Sequence, residues 1–132
     1  MPYTTHALSW EVEYTDQFEE WWNYLDVDDQ DAIFVAVGQL EVRGPALGRP
    51  LVDQIKSSKH KNMKELIPPA SDIRVLFAFD PRRTAILLIG GNKAGEWDKW
   101  YEEFVPKADW LYDDHLEILR TEVEEAKHAK DS

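Results

Sequence analysis

The sequence predicts an α+β fold in which a small antiparallel sheet of about four strands is packed by two N-terminal helices and followed by a C-terminal helical segment. Three observations predict it. Apolar residues recur at helical spacing over residues 18–40, three runs typical of strands follow over residues 63–89, and helical spacing returns from residue 97. With 132 residues, of which 43% are hydrophobic, the chain can build one compact core, so we expect a single domain over residues 1–132.

The N-terminal third predicts one strand and two helices. Residues 10–14 alternate apolar and acidic side chains, which is the period of a strand with one buried face. Asp16, with Glu19 three residues later, resembles a capping box and begins a short helix. The acidic pair at residues 28–29 caps a second helix, which the Gly-Pro pair at residues 44–45 ends.

The middle of the chain predicts a long loop and then a meander of three strands. Residues 47–62 are polar and basic, which indicates an exposed loop, and loops of this length are often functional. Strands are predicted over residues 63–67, 72–79 and 84–89, each ended by a turn. Arg74 lies within the second of them, so it is a cation on a strand.

The C-terminal third predicts two helical segments with an interruption at Pro106. The second segment begins at about residue 108, and we expect residues 1–7 and 124–132 to be flexible. An aromatic stripe on the first segment favours core packing over stacking on nucleic-acid bases. Its members are Trp97, Trp100, Tyr101 and Phe104.

Several classes of protein are excluded by what the chain lacks. With no cysteine it has no disulfide, no thiolate zinc site and no cysteine nucleophile. Residues 113–115, Asp-Asp-His, are neighbours on a predicted helix and point in different directions, so we expect no metal site and no cofactor. No apolar run reaches 18 residues, and residues 1–6 do not resemble a signal peptide, so we expect a cytoplasmic protein without a membrane partner.

Positive charge is concentrated in one stretch of an acidic chain. The window from Arg43 to Lys93 holds ten basic and four acidic residues, a net charge of +6, whereas the whole chain carries −11. Residues 1–42 contain ten acids and neither Lys nor Arg. A basic patch concentrates polyanions locally even where the net charge repels them at long range. The window therefore predicts a grip on a phosphate backbone.

The order of these elements, with a lysine before the first turn of the meander, an arginine on the next strand and a lysine after the last, resembles a known family. The chain is similar to the RelE/ParE superfamily of toxins from toxin–antitoxin pairs, particularly its HigB-like branch, over residues 8–120. The resemblance is carried by Lys64-Glu65-Leu66, Arg74-Val75-Leu76-Phe77, Asp80-Pro81, Ile86 to Ile89 and Gly91-Asn92-Lys93. In the C-terminal part it is carried by Trp97, Trp100-Tyr101, Pro106, Ala108-Asp109 and Leu111-Tyr112-Asp113-Asp114-His115-Leu116.

The resemblance implies a ribosome-dependent mRNA endonuclease, with the ribosome, mRNA and a cognate antitoxin of helix-turn-helix type as partners. The acids over residues 16–31 form either a solvated helical face or the platform for that antitoxin. Well-known members place an arginine directly after the lysine that follows the last strand, where this chain has Ala94. The alternative is a non-catalytic interaction protein of the same fold, either a gyrase-type inhibitor or an antitoxin-binding transcriptional co-regulator.

Cleavage of RNA without metal defines what the basic residues must do. A base takes the proton of a 2′-hydroxyl, cations stabilise the phosphate, and an acid protonates the leaving 5′-oxygen. The guanidinium fork of Arg74 suits two phosphate oxygens, which makes it the predicted clamp. Lys64 and Lys93 are predicted to converge on the same sheet face, where crowding among cations lowers the pKa of a lysine.

Further residues are assigned around this predicted site. His115 is a catalytic candidate because similar HigB-like endings place acid, tyrosine and histidine side chains near the active site; the alternative is a hydrogen-bonded surface histidine. Lys59, His60 and Lys61 in the loop are candidate RNA contacts or simply solvated residues. Arg82 and Arg83, in the turn at the far end of the hairpin, are given a role at the rim of the RNA site.

Overall fold

The computed structural model describes residues 9–95 and 97–131, which form five strands, three α-helices and one 3-10 turn. In chain order they are β1 (Val12–Tyr14), α1 (Asp16–Trp22), α2 (Val27–Arg43), the 3-10 turn (Gly44–Ala46), β2 (Val52–Gln54), β3 (Lys64–Leu66), β4 (Ile73–Phe79), β5 (Ala85–Asn92) and α3 (Trp97–Asp131). The expectation of a flexible segment at residues 1–7 lies outside the described residues.

The strands form one sheet in the order β1-β5-β4-β3-β2. β1 runs parallel to β5, and the other neighbours are antiparallel. The predicted α+β class is thus confirmed, and the sheet is mostly antiparallel as predicted, although β1 is parallel to β5 and the sheet has a fifth strand. This strand, β2, lies within residues 47–62, which the sequence predicts as a loop. At three residues it is too short for the alternation of apolar and polar side chains to be visible.

Both N-terminal helices begin at caps slightly before the predicted ones. Thr15 caps α1: its hydroxyl accepts a hydrogen bond from the Phe18 amide at 3.0 Å and donates one to the Leu88 carbonyl at 2.6 Å. Asp26 caps α2 by accepting from the Asp29 amide at 2.9 Å. Each cap satisfies an amide that has no partner inside its helix. The caps predicted at Asp16 and residues 28–29 were therefore displaced by one to three residues.

The sheet lies between two helical layers, and alternate side chains of its strands enter two different cores. On β4, Val75 and Phe77 pack against α1 and α2, whereas Leu76 and Ala78 pack against α3. This follows from the period of two in a strand. The face of the sheet on which a side chain lies therefore decides which helices it can meet.

Helix α3 is continuous through Pro106, so the predicted interruption was wrong. Proline removes one backbone hydrogen bond, but Val105, Ala108 and Leu111 are buried against the sheet on either side of it and hold the helix there. Residues 124–131 continue the helix, and residues 124–130 are exposed, where the sequence predicts a flexible tail. Within the described ranges, no helix has the length and apolar character needed to cross a membrane.

Candidate active site

Four side chains meet where β4 begins, β5 ends and α3 starts. We name them the Arg74 cluster: Glu65, Arg74, Lys93 and Tyr101. Arg74 pairs with Gly91 across the β4–β5 ladder, and Lys93 directly follows β5. The same ladder therefore positions both cations at one end of the sheet. Tyr101 reaches them from the second turn of α3.

The contacts within the Arg74 cluster form a short chain. The Lys93 ammonium donates to the Tyr101 hydroxyl at 3.4 Å, and that hydroxyl donates to a Glu65 carboxylate oxygen at 3.0 Å. Arg74 Nε lies 3.7 Å from the same oxygen and makes no hydrogen bond. Arg74 Nη1 donates to the carbonyls of Ser71 at 3.0 Å and of Ile73 at 2.7 Å. These two carbonyls fix the guanidinium at the end of the sheet.

Burial strengthens the electrostatic interactions among the side chains of the Arg74 cluster. The side chains of Arg74 and Glu65 are only 12% and 8% exposed. Burial, reinforced by the positive charge of Arg74, lowers the pKa of Lys93 below that of an ordinary lysine. Burial and the hydrogen bond to Glu65 raise the pKa of Tyr101, so it stays a neutral phenol. Lys93 therefore releases a proton more readily than a surface lysine, chiefly because it is buried and only secondly because Arg74 is near.

Lys64 does not join the Arg74 cluster, contrary to the predicted convergence. It pairs with Phe77 across the β3–β4 ladder, which places its side chain on the face that packs against α1 and α2. Its ammonium donates to the Pro45 carbonyl at 3.5 Å and lies 5.7 Å from the centre of the Phe79 ring. Because side chains alternate along a strand, it is the next residue, Glu65, that faces Arg74.

His115 lies near the opposite end of β4. Its Nε2 is 2.8 Å from Asp80, which follows the last residue of β4 and has a fully buried carboxylate. Arg74 and Asp80 are separated by six residues, or about 20 Å along an extended strand. His115 therefore does not approach Arg74, and it contributes to a second charged cluster at the β4–β5 turn.

The two arginines of the β4–β5 turn differ in their contacts. Arg82 makes hydrogen bonds to the carboxylate of Asp80 and reaches Glu13 of β1 at 2.7 Å, so it ties the turn to the edge of the sheet. Arg83 is exposed, has a positive φ of 66°, and stacks its guanidinium 5.1 Å from a ring centre of Trp10. An RNA contact by either arginine stays a prediction.

Replacing Asp80 by asparagine should reduce the dependence of stability on acidic pH. Burial alone raises the pKa of this carboxyl, but hydrogen bonds from Arg82, His115 and the Thr84 amide outweigh it, and the pKa lies below the usual value. A lowered carboxyl pKa contributes stability above the unfolded-state value of about 4, and this contribution is lost as pH falls through the folded-state value. Asp80→Asn should also cost about 2–3 kcal/mol of unfolding free energy at pH 7.

The measurement is urea denaturation from pH 7 down to the acid transition, with Asp114→Asn as the control because Asp114 is exposed on α3. We expect the slope of unfolding free energy against pH below about pH 5 to be smaller in Asp80→Asn than in the wild type. Equal slopes in the two proteins would contradict this role of Asp80.

The loop between β2 and β3, which we call the basic loop, is held against α3 by side-chain contacts. Ser58 donates to Asp109, Lys59 forms an ion pair with Asp113, and His60 Nε2 lies 2.8 Å from the same Asp113. Asp109 and Asp113 stand one helical turn apart, so they meet successive loop residues. Lys61 is exposed. The loop is thus ordered by α3, and contacts of Lys59, His60 and Lys61 with RNA stay predictions.

Glu65 and Tyr101 are the residues that reasoning from the sequence missed as parts of the site. Glu65 appeared only within a motif, and Tyr101 was assigned to the core with the rest of its aromatic stripe. The signal for Glu65 was its place next to Lys64 on a strand, but only the β3–β4 register shows which of the two faces Arg74.

Among residues 9–95 and 97–131, no group of three or more His, Asp or Glu side chains could hold a metal ion.

Comparison with known proteins identifies similar sequences. Residues 20–113 match the family described as phage-derived protein Gp49-like. A Mycobacterium tuberculosis protein that carries the toxin name HigB2 is 46% identical over 113 residues, which cover 83% of this chain and 56% of that protein. Another from the same organism, named HigB3, is 48% identical over 104 residues, which cover 75% of this chain and 91% of that protein. The chain thus spans just over half the length of the first relative and most of the second.

Comparison of structures shows a shared fold at low sequence identity. The isolated Escherichia coli RelE toxin aligns with a TM-score of 0.54 and 6% identity, covering 72% of this chain and 98% of RelE. The RelB–RelE antitoxin–toxin complex of Methanococcus jannaschii gives a TM-score of 0.52 and 9% identity, covering 67% of this chain and 98% of the matched chain. At such identities the likeness establishes a RelE-like fold alone.

Proposed function

Because this chain belongs to the Gp49-like family and to the HigB-like branch of the RelE superfamily, we propose that it is the toxin of a type II toxin–antitoxin pair and cleaves mRNA on the ribosome. The observation that carries the proposal is the Arg74 cluster. It places the Arg74 guanidinium and a lysine of lowered pKa at one end of the sheet. Both are features that cleavage of RNA by its own 2′-hydroxyl requires.

The proposed reaction forms a bond between the 2′-oxygen and phosphorus and breaks the bond between phosphorus and the 5′-oxygen. The 2′-hydroxyl loses its proton to a base, and the 5′-oxygen gains one from an acid. The products are a 2′,3′-cyclic phosphate and a 5′-hydroxyl. Arg74 stabilises the negative charge on the phosphate, because its guanidinium keeps its positive charge and donates strong hydrogen bonds to phosphate oxygens. Lys93 carries a proton, since its lowered pKa brings the ammonium closer to release.

Tyr101 and Glu65 support these two cations in the proposed site. The Tyr101 hydroxyl accepts from Lys93 and donates to Glu65, so it positions the ammonium relative to the carboxylate. Glu65 balances the charge of two buried cations that would otherwise repel each other. We leave Lys64 and His115 out of the catalytic set, because Lys64 lies on the other face of the sheet and His115 beside Asp80.

An antitoxin, the ribosome and mRNA are the proposed partners. The antitoxin is supported by the solved structures of this fold, which include complexes of RelE with RelB from several organisms. That this antitoxin is of helix-turn-helix type is an expectation from the resemblance of the sequence to HigB-like toxins. The ribosome and mRNA are proposed as partners because of the same resemblance to HigB-like toxins.

The test of the proposed function is controlled expression followed by mapping of mRNA 5′ ends. Wild-type protein should arrest growth and create new 5′-hydroxyl ends within translated transcripts, and Arg74→Ala should do neither at equal protein level. Arg120→Ala is the matched control, because Arg120 is an exposed arginine that pairs only with Glu117 and Glu124 on its own helix among the described residues. It should behave as the wild type.

Two results would overturn the proposal. The absence of new ends with intact wild-type protein would favour a non-catalytic protein of this fold, the alternative that Ala94 in the place of a family arginine suggests. New ends that persist in Arg74→Ala would remove the Arg74 cluster as their source. Because ribosome-dependent enzymes of this type act weakly on naked RNA, the assay uses translating cells.

A further inference from the structure

Helix α2 presents apolar side chains on two opposite faces. The inner face, with Ile33, Ala36 and Leu40, is buried against the sheet. Opposite it, Phe34 is 75% exposed and Val42 is 66% exposed. Exposed apolar side chains that group into one patch, rather than standing singly, mark a surface for a partner. Within the described chain, the apolar side chains on the outer face of α2 remain exposed.

Gly38 lies in the middle of this outer face. Phe34, Gly38 and Val42 are spaced by four residues and so follow one line along the helix, with Val27 and Val35 beside it. A Cβ atom built on Gly38 meets nothing within 4 Å, so the fold of this chain does not require glycine there. Glycine is a poor helix former, and alanine at this half-buried position, where its methyl group would meet nothing, would be more stable. A second helix that approaches closely would explain why the side chain is absent.

The charge around the outer face selects the kind of partner. Asp28 and Glu41 flank the apolar line, Asp31 lies between Val27 and Val35, and residues 9–42 contain no Lys or Arg. Two copies of this face would bring acids against acids, and an anionic membrane surface would be repelled in the same way. A helix that carries Lys or Arg on both sides of an apolar stripe would match both the shape and the charge.

We propose that the outer face of α2, formed by Val27, Phe34, Val35, Gly38 and Val42, is the docking surface for a basic amphipathic helix of the antitoxin. Gly38 allows the two helix axes to approach closely, and the flanking acids pair with the basic residues of the partner. The inference rests on the proposed function in that the partner is an antitoxin. It names the surface and the chemistry of the segment that binds there. The surface is on the opposite side of the sheet from the Arg74 cluster, which faces α3.

The test uses a fluorescently labelled synthetic helix of about 20 residues, with leucine on one face and Lys and Arg on the flanks, and a second peptide in which Glu replaces Lys and Arg. Binding to the full chain is followed by fluorescence anisotropy at about 0.15 M salt, where exposed charges are screened beyond about 8 Å. We expect the basic peptide to bind and the acidic peptide not to bind.

Gly38→Leu is the decisive variant, because it places a side chain where the partner helix must approach. It should weaken binding of the basic peptide by about tenfold or more. Gln39→Leu adds the same side chain to the next exposed position, outside the apolar line, and should bind as the wild type does. Thermal melts of both variants check that the fold is intact, and Gly38→Ala should melt above the wild type while binding more weakly.

Three outcomes would overturn the inference. The first is equal binding by Gly38→Leu and Gln39→Leu, and the second is equal binding of the acidic and basic peptides. The third is a wild-type dimer that Gly38→Leu converts to a monomer, which would make the face a self-interface. The assay contains no RNA, so a failure of mRNA cleavage leaves its result unchanged, and a failure of binding leaves the endonuclease untouched.

Discussion

Replacing Arg74 by lysine should slow mRNA cleavage by about 100-fold, although the positive charge is kept. The guanidinium donates through Nη1 to the carbonyls of Ser71 and Ile73, and its Nε is buried beside Glu65, so Nη2 is the nitrogen left to meet a phosphate. A lysine ammonium is a single compact donor group, so one position must serve either the carbonyls or the phosphate. The loss should therefore fall on the rate of cleavage and not on folding.

The rate is measured as the appearance of a defined 5′ end in a translated reporter mRNA after induction, normalised to the amount of toxin. Arg120→Lys makes the same chemical change on the exposed part of α3 and should leave the rate unchanged. If Arg74→Lys cleaves within about threefold of the wild type, charge alone suffices and the fork geometry plays no part.

Replacing Gly44 by alanine should lower the free energy of unfolding by about 2–5 kcal/mol, the sum of a backbone cost and a steric cost. Gly44 ends α2 with a φ of 56° and a ψ of −137°, a conformation that side chains rarely adopt. A Cβ atom at this position would lie 2.3 Å from the Trp10 ring. The ring packs over the helix end, so it has to move before the methyl group fits.

Two other glycines separate the two costs. Gly95 has a φ of 87° but open space around it, so Gly95→Ala should show the backbone cost of about 1–2 kcal/mol alone. Gly48 has neither the positive φ nor a close neighbour, and Gly48→Ala should be neutral or slightly stabilising. Urea denaturation of the three variants gives the comparison. A Gly44→Ala protein no less stable than Gly95→Ala would show that Trp10 imposes no steric cost.

The sequence predicts this fold well where a pattern is long and local. The meander of β3, β4 and β5 and the helices α1 and α2 follow from periodicity and turn residues alone. Apart from the displaced helix caps, the errors come from packing between distant parts of the chain. Pro106 breaks an isolated helix, but the contacts of its neighbours with the sheet keep α3 continuous. The three residues of β2 become a strand because β3 offers a partner edge.

Only part of the candidate site can be predicted from the sequence. Arg74 and Lys93 come together because a short turn sets the register of β4 against β5, and that turn can be recognised in the sequence. Lys64 and Glu65 are adjacent, and a shift of one residue exchanges the faces on which they lie. Their assignment depends on the β3–β4 register, which local patterns do not fix. Tyr101 enters through the packing of α3, which no local pattern encodes.

The continuity of α3 has a mechanical consequence. At 35 residues the helix is about 50 Å long, and it carries Tyr101 near one end and an entirely exposed segment, residues 120–130, at the other. Asp109, Asp113 and His115 clamp its middle to the basic loop and to Asp80. The projecting segment can therefore bend or meet a partner without moving Tyr101, because the packing of residues around Pro106 on the sheet holds the part of the helix between them.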